Sequence, residues 1–137
     1  MSLFRRLRAA RQSLLIALRE FCSNHFGENT REARGLRLLR DWLSPHQREQ
    51  FDAKGYFDVI GCDTGRRYRI YYGAAMNVHE LDDGDRLKMG WCFVPYGSLV
   101  AGDVVLAQKI ALETFEHGAL LVAKRFVPGT RIAEVPT

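Results

Sequence analysis

Asp63-Thr64-Gly65 closes an apolar run, and an aspartate on such a tight turn is the acid–base group of one class of peptide hydrolysis. That chemistry needs two carboxylates sharing one proton, so a single copy of the tripeptide requires a symmetric dimer. Arg66 and Arg67 follow at once, and guanidinium groups so close hold an aspartate ionised. The same tripeptide is ordinary turn material, and the turn is the stronger reading.

Cys62, His79 and Cys92 form a second constellation, with His117 or an aspartate available as a fourth metal ligand. Structural zinc sites place two ligands close together in sequence, and this set does not. A Cys92–His79 nucleophile and base pair suffers the same weakness, since no third residue is evident to orient the imidazole. Neither a metal, a cofactor nor a catalytic residue is expected. The three cysteines, Cys22, Cys62 and Cys92, cannot all pair within one chain, which fits reduced thiols in the cytoplasm.

The third constellation is Arg66, Arg67 and Arg69 interleaved with Tyr68, Tyr71 and Tyr72. Guanidinium groups contact phosphates while aromatic rings stack on bases, so this pattern suits nucleic acid. Arg5 and Arg8 near the N-terminus could add phosphate contacts. Against this, Asp82, Asp83 and Asp85 occupy a neighbouring turn, and aromatic residues pack well in any sheet. There is no glycine-rich phosphate loop.

These residues must be positioned by a chain of 137 residues, 47% hydrophobic and 26% charged, which is enough for one folded domain with its own core. All of its excess positive charge lies in residues 1–21, where five arginines face Glu20 for a net of +4, equal to that of the whole chain. A neutral body at 22–137 therefore carries a basic, leucine-rich helical arm. No apolar run approaches the ~20 residues that a membrane-spanning helix needs. No secretory signal is expected, because arginines break the early apolar stretch. An arginine-rich transit peptide is a weaker alternative, since the arm merges directly into further helical sequence.

On a helical wheel of about 100° per residue, Leu3, Leu7, Leu14, Leu18 and Phe21 share one face of the arm. Packing on the body or on a second copy is favoured over an anionic membrane surface, because Leu15 and Ile16 widen the apolar side. A polar break is expected at 23–28, with Asn29 capping the next helix. Ser44, Pro45 and Gln47 then mark a capping box, and Gly55 a helix stop. After Gly55 the period shortens to two. Tyr56–Cys62, Arg66–Gly73, Met76–Leu81 and Arg86–Pro95 read as four strands of an antiparallel meander, their connections too short for parallel crossovers.

Asp103 is expected to cap one long helix from Val104 to Lys124, apolar nearly all round. Its polar strip is Gln108, Lys109, Glu113 and Glu116, and Gly118 is the place where it could bend. The tail offers an edge strand at Thr130–Val135. The expected architecture is thus α+β, with N-terminal helices, a four-stranded meander and a long C-terminal helix packed on the sheet. The expected role is a small non-enzymatic assembly or adaptor protein of the cytoplasm, contacting a protein partner or a second copy of itself. The runner-up is a nucleic-acid-binding module built on the Arg66–Tyr72 strand and the arm.

Overall fold

The computed structural model describes residues 3–26, 30–93 and 97–129. Three helices come first: α1 (Leu3–Phe26), α2 (Arg31–Trp42) and α3 (Pro45–Lys54). Four strands follow, β1 (Tyr56–Ile60), β2 (Arg67–Tyr71), β3 (Val78–Leu81) and β4 (Leu87–Cys92). The chain then forms α4 (Ala101–Thr114), α5 (Glu116–Val122) and β5 (Lys124–Phe126). The class is α+β, as the change of period at Gly55 predicts.

Local chemistry explains most of the boundaries. Ser44 Oγ accepts the Gln47 amide while the Gln47 side chain accepts the Ser44 amide, so the expected capping box is complete. Gly55 ends α3 in the left-handed region at φ 75°, where a residue with a Cβ is strained. Two expectations shift. Thr30, not Asn29, caps α2 by accepting the Ala33 amide at 3.2 Å. Helix α1 continues through Ser23 to Phe26, into the expected break, whose remaining residues 27 and 28 lie outside the described residues.

The strands form one antiparallel sheet in the order β1-β2-β3-β4-β5. It has five strands rather than four, because Lys124–Phe126 pairs with β4. The expected tail strand at Thr130–Val135 lies outside the described residues. The inner face presents Phe57, Val59, Tyr68, Ile70 and Val78 to Leu39, Val105 and Leu112 of the helices, all essentially buried. Each such side chain contributes about 1.5–3 kcal/mol on leaving water. Where α2 crosses α4 the backbones touch: a Cβ on Gly102 would lie 2.4 Å from the Gly35 carbonyl carbon. Only glycine permits that approach.

Strand β1 lies at a sheet edge, yet the backbone groups of Asp58 at its centre are not left open. Gln50 accepts the Asp58 amide at 2.8 Å, and Gln47 donates to the Asp58 carbonyl at 3.0 Å. Helix α3 therefore shields an edge that would otherwise invite another strand.

The long C-terminal helix is two helices. Phe115, at φ −151° and ψ 52°, leaves the helical region and separates α4 from α5. Gly118 is not the break. Its missing Cβ makes room for the Phe115 ring, whose nearest atom would stand 1.8 Å from a Cβ there. Asp103 lies in the first turn of α4, with Val100 at the cap position.

Candidate functional site

The turn after β1 and the start of α5 hold each other through reciprocal hydrogen bonds. The Glu116 carboxylate, fully buried, accepts four: from the Asp63 amide (2.8 Å), the Thr64 amide (2.9 Å), Thr64 Oγ1 (2.5 Å) and the Tyr68 hydroxyl (2.6 Å). In return Asp63 Oδ2 accepts the His117 amide at 2.9 Å and His117 Nδ1 at 2.8 Å. The Glu116 amide reaches Cys62 Sγ at 3.4 Å, and the Cys62 amide reaches the Leu112 carbonyl at 3.1 Å. The Asp-Thr-Gly turn is thereby bound to the break between α4 and α5.

Electrostatics follow from those bonds. Burial works to raise the Glu116 pKa, but the hydrogen bonds from Thr64, Tyr68 and the turn amides outweigh it and hold the carboxyl below its ordinary value. Asp63 is likewise lowered, first by the His117 amide and then by the His117 side chain. Tyr68 moves the other way. Burial and the adjacent Glu116 carboxylate push its hydroxyl well above the usual range.

Ligand atoms of Cys62, Asp63 and Glu116 lie within 4.8 Å of one another. This differs from the Cys62, His79 and Cys92 set weighed on the sequence, since His79 sits instead between the rings of Tyr71 and Phe126. Nor does the trio suit a metal ion. Both Glu116 oxygens are already saturated by two donors each, so coordination would strip bonds from buried amides. The two carboxylates have separate sets of donors rather than one shared proton. A hollow of about 380 Å³ opens beside this turn, lined by Arg66, Arg67, Glu80, Asp82 and Lys88. Its charges pair off: Glu80 Oε1 lies 3.7 Å from Arg66 Nε and 3.6 Å from Lys88 Nζ.

The Arg66–Tyr72 strand divides as its alternation predicts. Tyr68 and Ile70 enter the core while Arg67, Arg69 and Tyr71 share the outer face. No described helix packs on that face. The arginines there are engaged: Arg69 forms a two-pronged bridge to Asp58 (2.9 and 3.1 Å), with its guanidinium 4.2 Å from the Tyr56 ring centre. Arg67 pairs with Asp85 and donates to the Asp82 carbonyl at 3.1 Å. The hydrogen bond to Asp58 raises the Arg69 pKa further, and that same bond helps hold Asp58 below its ordinary value against the opposing effect of burial.

For the arm, Leu14 and Leu18 are exposed, at 41% and 40%, and Arg8 is exposed as well. The side chains of Leu3, Arg5, Leu7 and Phe21 lie outside those described. Leu15 is half-buried, and Arg11 bridges to Glu49 of α3 at 3.4 Å.

The expected polar strip of the C-terminal helix is overturned. Gln108, Lys109 and Glu116 are buried and Glu113 is half-buried, each with a specific partner. Gln108 and Asn77 exchange reciprocal amide bonds at 2.7 and 3.0 Å. Lys109 pairs with Glu113, whose other oxygen accepts from Gln47 at 3.0 Å. The line of α4 that faces out is Asp103, Ala107, Ile110 and Thr114. Phe115, Leu121 and Val122 continue outward beyond it, exposed at 69%, 86% and 77%. Sequence reasoning did not single out these three; the apolar run Ala119–Ala123 was the available signal for Leu121 and Val122, while Phe115 stands between Thr114 and Glu116 and carried none.

No helix among the described residues is long and apolar enough to cross a membrane. Comparison of the chain with protein-family models, with curated proteins and with solved structures finds no match.

Proposed function

We propose that this chain is a small assembly protein that acts through protein–protein contacts, in the first place with copies of itself. The observation that carries the reading is the outward face of α5 and its junction, where Phe115, Leu121 and Val122 stand in solvent. Isolated apolar residues on a surface are ordinary, but three so exposed within eight positions form a patch suited to a partner. Trp42 and Leu38, one turn apart on α2, add a second exposed pair at 59% and 46%. The inward pairing of the polar groups supports a non-enzymatic role. Cys62 and Cys92, both unpaired, support a reducing cytoplasmic setting.

Sedimentation velocity over a wide concentration range tests the reading on the full chain and on a form lacking residues 1–21. Both are expected to associate reversibly, because the α5 patch is present in each. Monomers in both forms at every concentration would defeat it.

A further inference from the structure

A row of half-buried aromatic rings crosses the outer face of the sheet, opposite the core formed with the helices among the described residues. Tyr56 of β1 and Tyr71 of β2 lie 5.1 Å apart between ring centres, Tyr71 and His79 of β3 5.3 Å, and His79 and Phe126 of β5 5.4 Å. Strand β4 contributes no ring because Gly90 stands in line. A Cβ there would lie 2.3 to 2.5 Å from three successive atoms of the Phe126 ring, so that ring occupies the space over the strand that glycine leaves. The row is therefore continuous across all five strands.

The charges along it are arranged unevenly. Asp58, the one carboxylate among the outward residues of β1 and β2, is consumed by Arg69, which spreads its planar guanidinium over Tyr56. At one end Lys54 places its ammonium 5.7 Å from the Tyr56 ring centre. At the other, Lys124 shares the outer face with Phe126. Both lysines are exposed, and neither forms an ion pair among the described residues. Burial lowers the pKa of His79, which keeps its ring neutral in the middle of the row.

We infer that this face binds single-stranded nucleic acid, with bases laid on the aromatic row and phosphates held by Lys54 and Lys124. Successive rings stand tilted or edge-to-face, at 60° for Tyr56 and Tyr71, 88° for Tyr71 and His79 and 81° for His79 and Phe126. Bases would therefore contact single rings between the two cations, which suits a polyanion whose bases are unstacked. A duplex offers its bases only as groove edges and fits poorly. The engaged arginines set the expected character of binding. With two lysines left for phosphates, the slope of log affinity against log salt is about −1.4, far shallower than for a dedicated basic binder.

Fluorescence anisotropy tests this with labelled oligo-uridine and oligo-thymidine of about 12 nucleotides, and with a duplex of equal length, at about 50 and 200 mM salt. Saturable binding of either single strand in preference to the duplex is expected, and the two probes separate RNA from DNA. Tyr71→Ala is expected to weaken it about tenfold. Lys54→Gln with Lys124→Gln, both on exposed residues that leave the core untouched, is expected to reduce the slope to near zero. Equal or tighter duplex binding, or affinity lost only on Arg5→Gln with Arg8→Gln, would overturn the inference, as would no binding at the lower salt. So would finding that Tyr71→Ala abolishes self-association instead, which would make the face an interface between copies. Failure of the α5 assembly leaves this result standing, because the two faces are tested by different variants.

Discussion

On α4 and α5 the side chains of Gln108, Lys109, Glu113 and Glu116 point inward and find partners, while Ile110, Phe115, Leu121 and Val122 point out. On α1 the arrangement is looser: Leu14 and Leu18 are exposed, Leu15 is half-buried, and an exposed bridge from Arg11 to Glu49 helps hold the helix to the body. The first region is defined by buried hydrogen bonds, which cost little when complete and a great deal when broken. The second is held by exposed charge and modest apolar contact, where single changes matter little. A helix can therefore be tightly specified by its polar residues and still leave its apolar ones for a partner.

The largest predicted effect lies at the clasp. Glu116→Ala would orphan the Tyr68 hydroxyl and the Asp63 and Thr64 amides, with a loss of about 3–5 kcal/mol by urea denaturation. A loss no larger than that of an exposed substitution would break the contrast between the two regions. Acid should act on the same bonds. Glu116 and Asp63 both titrate below their ordinary values of 4.5 and 3.8, so their contribution is present above those values and lost as pH falls through the lowered ones. Stability should therefore decline below about pH 4.5, and Glu116→Gln should flatten the decline.

Next comes Gly102→Leu, which forces α2 off α4 and should cost about 1–3 kcal/mol or more. Tyr68→Phe removes one donor from Glu116 and is expected to cost about 1 kcal/mol. At the small end, Arg11→Ala should change the unfolding free energy by less than about 0.5 kcal/mol. A larger loss there would place α1 in the folded core.

The sheet was the most legible part of the chain. Alternation in Arg67–Tyr71 and the turn residues at 63–65 and 82–85 are local signals, and local signals suffice for a meander. The clasp was legible only as a turn. Its meaning depends on Glu116, fifty-two residues from Thr64, and no period reveals such a partner. The same cause misassigned the face of α4. Gln108, Lys109 and Glu113 look like a solvated strip on a wheel, and only Asn77 and Gln47, brought in by β3 and α3, turn them inside. The break at Phe115 is equally non-local, since Asp63 secures the first turn of α5 from across the fold.

The most direct test of the assembly reading is the light-scattering mass of the wild-type chain beside Leu121→Asp with Val122→Asp, at matched concentration and with melting temperatures recorded. Both positions are exposed, so the fold should melt unchanged while the mass falls from that of an oligomer to 15.7 kDa. A wild-type mass already at 15.7 kDa, or an oligomer that ignores both aspartates, would contradict the account.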